Sequence, residues 1–531
     1  MKIEDSSEGS DICIDMIQVN ELKLSLLADF DTKMNTEKEL LEKSIDEATK
    51  RMSKRVDKLI STSRMSAFEL LGLVQEKKAK PIFSEKVFQQ RESLLTESSR
   101  TGKEAHTVFN IFVAILLLIF LKMIVHDVFM KGHGFIDVSL LHDVSSEIKV
   151  GYVYWIYNFL FSFSIVFLAK AVVSLKLNPS LYFPLYLCIQ SINLVYPIYI
   201  ALTINGSPFS GIVLTCEMAR FAMKIHGYFR EKMLHCTPNK YKEFIPKFAQ
   251  KRGIKYEDLN MPNINMGGLF TELRRFNYYL WVPTIIYRDD YVMRPKISMG
   301  NLLSNLLTFN LCFYYTFALI KGFVSPTFNN YFQEKADIED IVAISTATGI
   351  IFLLMAFFGV LHSWMNIFSE LTRFGDRQFY TDWWNVSNYG AYYRKWNIIV
   401  HEWLYYYVYN DSVRFTEGRI NSAVSKFLVF FISAIIHEVI VACTLKFFFP
   451  ILLILFGGPG VIFMTMTRSN NRILGIGFWF TMIIGNGLLI VLYGMEYYTR
   501  QQPEYIERME IQGPISFFIP QCYHYLSKRY S

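Results

Sequence analysis

The first 104 residues interleave charges with apolar positions and hold 38 of the 101 Asp, Glu, Lys and Arg residues in the chain. Beyond them the pattern changes to long apolar runs, at 107–127, 152–174, 181–203, 207–222, 303–324, 341–369, 425–449, 450–466 and 473–495. A helix crossing the hydrocarbon core needs about 20 mostly apolar residues, so these runs predict about nine transmembrane helices. The fourth and eighth runs are short, and the fourth carries Glu217 and Arg220. The predicted fold is all-α and polytopic. A polar region over 1–104 is followed by a transmembrane domain over 105–500 and a short tail over 501–531. Residues 36–64 alternate charge at helical spacing, which fits a solvated helix, a self-association segment or a mobile polar arm.

Composition agrees with a bilayer as solvent. Of the 531 residues 52% are hydrophobic and 19% charged, and the mean hydropathy is +0.23. The first 104 residues show no apolar core behind a basic start, so no cleavable signal peptide is expected. Net charge is +7, too small and too dispersed for a nucleic-acid binder. Seven cysteines are scattered with no CxxC pair, which argues against a zinc ribbon or redox motif. Charge also suggests orientation. Lys77, Lys78, Lys80, Lys86, Arg91, Arg100 and Lys103 precede the first run, and residues 223–275 carry eleven Lys or Arg against five Asp or Glu. The loops 128–150 and 325–340 are acidic by comparison. The positive-inside rule then places the N-terminus, the 223–275 loop and the 370–396 loop in the cytosol, and the C-terminal tail in the lumen.

Two stretches depart from this background. Residues 373–409 are too polar for a span and too aromatic for a solvent loop, as befits the membrane–water interface. In them Arg394, Asn397, His401, Tyr405 and Tyr409 recur at helical spacing, which predicts one face of a single helix. The same spacing also fits an amphipathic helix with its polar face in water. The second stretch is the apolar run around His437 and Glu438. An ionisable pair at membrane depth costs several kcal/mol unless it faces protein or a wet cavity. It is therefore a functional candidate, beside the alternative of a neutral structural histidine. His401–Glu402 and His437–Glu438 both begin an HExxH pattern, but Tyr405 and Val441 stand where the second histidine would be. No GxSxG elbow, phosphate loop or dinucleotide fingerprint is present.

The segment Phe379, Tyr380, Thr381, Asp382, Trp383, Trp384, Asn385 resembles the FYxDWWN signature of membrane-bound O-acyltransferases that esterify sterols and diacylglycerol. The flanking blocks FGVLHSWMNIFSELTRFGDR, KWNIIVHEWLYYYVY and SAIIHE fall in the same order as in that family, and the resemblance extends loosely over residues 88–500. VPTIIYRDDY at 282–291 and the tyrosine run after Trp403 resemble the sterol branch more than the diacylglycerol branch. The resemblance implies a helical bundle around an intramembrane reaction chamber, and acyl transfer from acyl-CoA to a sterol hydroxyl. It implies His437 as the catalytic histidine and Asn397 as the second essential polar residue. It matches Arg394, Trp396, Asn397, His401, Tyr409 and Ser433 to positions contacting acyl-CoA. It further implies an endoplasmic-reticulum membrane, a homodimer or homotetramer, and no cofactor besides acyl-CoA as cosubstrate. Sterol enzymes often carry a disulfide near the C-terminus, but Cys522 has no nearby partner, so that bridge is not expected.

Chemistry is consistent with these roles. A thioester is already activated, so neither metal nor ATP is required, whereas the acceptor hydroxyl needs a base. The CoA phosphates need cations, for which Arg373, Arg377, Arg394 and Lys395 are candidates. Tyr405, Tyr406, Tyr407, Tyr409, Phe430 and Phe431 offer flat faces for a rigid sterol. Two alternatives stay open at this point: a diacylglycerol acceptor, and a channel or transporter with His437 in its pathway.

Overall fold

The structure is a computed structural model that describes residues 19–50 except 45 and 48, 86–101, parts of 113–129, 139–204, 208–237, 262–416, 421–460 and 472–531. It divides into two compact units, Met1–Pro81 and Ile82–Ser531. In the first, residues 19–44 form one helix, α1, with every side chain exposed, including Leu22, Leu26, Phe30, Met34 and Leu41.

The second unit is helical, with two isolated β-bridges and no strand among the described residues. A short helix α2 (Leu94–Thr101) follows an extended arm at 86–93. Then come α3 (Ser139–Ser162), α4 (Ser164–Leu175), α5 (Pro179–Thr203), α6 (Pro208–Cys236) and α7 (Leu269–Trp281). The long helices α8 (Met299–Phe332) and α9 (Ile338–Thr372) each contain a π turn, at Ile320–Val324 and Phe357–Trp364. The remainder are α10 (Tyr389–Trp396), α11 (Ile398–Trp403), α12 (Ser422–Leu445), α13 (Ile451–Leu455), α14 (Arg472–Thr499), α15 (Pro503–Gln512) and α16 (Cys522–Tyr530).

Local chemistry explains many of these boundaries. Pro179 opens α5, where its missing N–H costs nothing. Asp337 and Asp340 form a reciprocal capping box at the start of α9. Asn421 caps α12, and Lys446 closes it in the left-handed conformation. Helices α9 and α14 approach through small residues. A Cβ on Gly349 would meet the Asn486 backbone at 2.9 Å, and one on Gly487 would meet Thr346 at 2.6 Å. Such close backbone approach is how helices gain packing energy where no hydrophobic effect drives them together.

Among the described residues, six helices are long and apolar enough to cross a membrane: 151–175, 179–203, 299–332, 338–372, 423–445 and 473–499. They match six of the nine predicted spans. The predicted span 107–127 lies mostly outside the described residues. The predicted span 207–222 is the first half of α6, whose second half buries Lys224, Arg230, Glu231 and Lys232. The predicted span 450–466 begins as an apolar helix of only ten residues, Ile451–Gly460. The rest of that predicted span, 461–466, lies outside the described residues.

Candidate active site

The signature segment is a brace for a break in the chain. Its backbone docks on the α10–α11 junction: Thr381 N donates to the Lys395 carbonyl at 3.0 Å, and Ile398 N donates to the Phe379 carbonyl at 2.9 Å. These two bonds bracket Trp396 and Asn397. Asn397 sits at φ −132° and ψ 87°, ending α10 and capping α11, with its side-chain oxygen accepting from Val400 N at 3.2 Å. The predicted single helix through Arg394, Asn397, His401, Tyr405 and Tyr409 is therefore corrected. The helix breaks at Asn397, and residues Leu404–Tyr409 form a π turn. Helical spacing is no guide across a cap, because the cap residue leaves helical dihedrals. Arg394 lies on α10 and is exposed, while His401 lies on α11 and its N–H donates to the Asn397 carbonyl at 3.0 Å. Tyr409 stacks on Tyr405 at 5.7 Å.

Aromatic packing makes the brace rigid. Trp383 meets Trp396 edge-on at 4.7 Å, and the π turn of α9 brings Phe357 to Tyr380 at 4.7 Å and to Trp383 at 5.0 Å. Each such pair adds about 0.5–1.5 kcal/mol beyond area burial. Tyr380 Oη lies 2.7 Å from His362 Nδ1. Asp382 pairs with Lys395 at 2.9 Å, and Trp384 and Asn385 are exposed. Trp396 is thus packed against this aromatic cluster while remaining partly exposed.

His437 and Glu438 point to different surroundings. Glu438 is buried, accepting from Leu453 N at 3.0 Å and from Tyr493 Oη at 3.0 Å, while Tyr493 Oη accepts from Leu452 N at 3.1 Å. Those bonds tie α12 to the first turn of α13. At the end of α13, Phe456 stacks on the His437 ring at 5.9 Å and lies 6.2 Å from Tyr393 of α10. The His437 ring itself is exposed, and its Nδ1 is 2.7 Å from the Ser433 carbonyl oxygen. A carbonyl only accepts, so Nδ1 carries the proton. In the neutral ring Nε2 then holds a free lone pair.

The expected cation set is reduced. Arg377 is 2% exposed and paired with Glu370 at 2.5 Å, so it is unavailable to a phosphate. Lys395 is engaged by Asp382. Arg373 is exposed, its Nε donating to the Arg294 carbonyl at 2.8 Å. The tyrosine run is also partly committed elsewhere: Tyr406 and Tyr407 are buried, and Tyr407 Oη donates to Glu231 at 2.8 Å. Phe430 packs on Tyr393 at 5.3 Å and Phe431 on Phe427 at 5.8 Å.

Residues 287–289 form a buried clamp against α6. Arg288 meets Glu231 at 2.9 Å, and Lys232 meets Asp289 at 2.7 Å and Glu272 at 2.9 Å. Arg230 pairs with Asp411 at 2.7 Å, just past the π turn. Burial alone would raise the Glu272 carboxyl, but hydrogen bonds from Lys232, Gly267 N–H and Tyr228 hold it below its ordinary value. Sequence reasoning missed this clamp. The signal was a run of charges on the second half of an apolar helix, facing the YRDDY block. Three of the eleven basic residues counted over 223–275, namely Lys224, Arg230 and Lys232, are buried and do not face headgroups.

The pattern defining the MBOAT, membrane-bound O-acyltransferase, family matches residues 261–495, the stretch holding the signature, Asn397 and His437. The chain is 31% identical over 430 residues to sterol O-acyltransferase 1 of Chlorocebus aethiops, covering 78% of this chain and 74% of that protein. It is 30% identical over 479 residues to sterol O-acyltransferase 2 of Rattus norvegicus, covering 87% and 84%. Against sterol O-acyltransferase 2 of Homo sapiens it is 30% identical over 426 residues, covering 78% and 77%. With its apolar spans, its signature brace and this extent of similarity, the chain belongs to the membrane-bound O-acyltransferase family.

Proposed function

We propose that the chain transfers a long-chain fatty acyl group from acyl-CoA to the hydroxyl of a sterol. The observation that carries the chemistry is the His437 tautomer: Nδ1–H on the Ser433 carbonyl leaves Nε2 as a base. In this reading Nε2 takes the sterol hydroxyl proton while the oxygen attacks the thioester carbonyl. The carbon–sulfur bond then breaks and CoA leaves as thiolate, to be protonated by the imidazolium. Asn397 spends its side-chain oxygen on the α11 cap, so its amide N–H₂ remains to hold the thioester oxygen as charge develops there. Arg394 is the exposed cation on α10 for the CoA phosphates, with Trp396 ending α10, His401 on α11, Tyr409 ending the π turn and Ser433 on α12. The reaction needs no metal or other cofactor.

The names of the similar proteins support sterol as acceptor. A diacylglycerol acceptor is the competing outcome. The protein is a multi-pass membrane protein. We place it in the endoplasmic reticulum as a homo-oligomer, with the signature side facing the cytosol, on the family resemblance and the charge distribution of its loops. The test is ester formation from radiolabelled acyl-CoA by purified protein. Wild type forms ester and His437→Ala does not, although it inserts and purifies normally. Undiminished turnover by well-folded His437→Ala would remove the base from the mechanism.

A further inference from the structure

The arm at 86–93 lies along the segment leading into the signature. Arg91 N donates to the Gly375 carbonyl at 2.9 Å, and Arg377 N donates to the Arg91 carbonyl at 3.1 Å. Gln89 N donates to Asp376 at 3.2 Å, and the Arg91 guanidinium is 3.3 Å from the same carboxylate. Phe88 packs edge-on against Tyr291 at 5.2 Å and Phe374 at 5.8 Å. Arg288 donates to the Lys86 carbonyl at 3.2 Å. The backbone of Lys86 is thereby held in place, and its ammonium reaches Glu402 at 2.6 Å, with both side chains largely covered at 10% and 17% exposure.

Glu402 sits on α11, next to His401 and within the helix that Asn397 caps. That helix has six residues, too few to hold its own shape or direction. A π turn follows it, so its pose depends on outside contacts. Besides the Ile398–Phe379 backbone bond of the signature brace, Trp403 Nε1 donates to the Met223 carbonyl at 3.0 Å on one side, and Lys86 holds Glu402 on the other. Without the ammonium, the Glu402 carboxylate would lose the cation it shares with Asp376, which lies 4.0 Å from the same Nζ. A partly covered carboxylate left in this way repels its neighbour and moves towards solvent. We propose that Lys86 is a positioning residue that sets the pose of α11, and through it His401 and Asn397, for acyl-CoA. This rests on the function proposed above.

The test combines kinetics with hydrogen exchange on the full-length protein. Lys86→Met should raise the apparent KM for oleoyl-CoA several-fold and leave the cholesterol dependence unchanged. Lys86→Arg should behave as wild type. Lys86→Met/Glu402→Gln should lie closer to wild type than Lys86→Met, because the stranded carboxylate is gone. Amide exchange over 397–403 should speed up in Lys86→Met and stay unchanged over 522–530. Wild-type kinetics in Lys86→Met, equal changes in both substrate curves, or an additive loss in the double variant would overturn the assignment. If Lys86→Met fails to accumulate, Glu402→Gln carries the test, with a smaller rise in the same KM expected and none contradicting it. If wild type forms no ester at all, the proposed function fails. The exchange comparison then still decides the positioning, which falls if 397–403 are unaffected.

Discussion

His437 and Glu438 are neighbours in sequence with opposite work. About 100° of rotation around the helix separates a ring open at Nε2 from a carboxylate enclosed by Tyr493 and the first turn of α13. The first should matter to chemistry and the second to stability. His437→Ala should lower turnover by about 10²–10⁴, the usual contribution of a general base, with unchanged resistance to unfolding in detergent. Glu438→Leu should do the reverse in its first effect. It strands the Tyr493 hydroxyl and the Leu453 N–H in an apolar interior, costing about 1–3 kcal/mol for each group. A denaturant titration in detergent measures that loss, and a variant as stable as wild type would show the network to be unimportant. The sequence singled out the pair by its depth alone. Which member would be enclosed depends on α13, and no local pattern encodes that contact.

At the scale of elements, the site is a broken helix held by a brace. The signature was legible as a motif, and the Asn397 cap was not, because a cap is recognised by dihedrals that a period of three and four residues conceals. The YRDDY block was legible as a resemblance. Its role as a clamp became visible only when α6 was seen to bury Glu231 and Lys232 against it. Asn397→Ala should cost about 0.5–2 kcal/mol through loss of the cap and, in the proposed mechanism, should also slow turnover. Asp382→Ala breaks a half-exposed pair with Lys395 and should cost under about 1 kcal/mol. The two unfolding midpoints should differ in that order. The clamp also predicts an acid response. Glu272 has its pKa depressed in the folded state relative to the ordinary 4.5. Its contribution is therefore complete above pH about 4.5 and lost as pH falls through the depressed value. Wild type should lose melting temperature on acidification below that point, and Glu272→Gln should show a shallower loss across the same window. An identical slope would remove Glu272 from the acid response.

For the whole molecule, hydropathy placed five of the six helices to within a few residues and the sixth, 299–332, with its end eight residues short, since burial in lipid is a property of long windows rather than of particular contacts. Two further predicted spans are not among these six helices. In α6 the apolar half continues into a helix whose charges are neutralised by partners distant in sequence. The 450–466 run is described only as the ten-residue helix 451–460, and its remainder lies outside the described residues. Family, fold class and the histidine-bearing helix were thus accessible from sequence, while the pairing that shapes the site required the assembled bundle. Within this family the acceptor is the most discriminating property. The measurement that tests the central claim most directly is a competition assay with purified protein, oleoyl-CoA, and cholesterol and diacylglycerol in equal amounts. The account predicts sterol ester as the main product, abolished by His437→Ala. Triacylglycerol as the main product would contradict it.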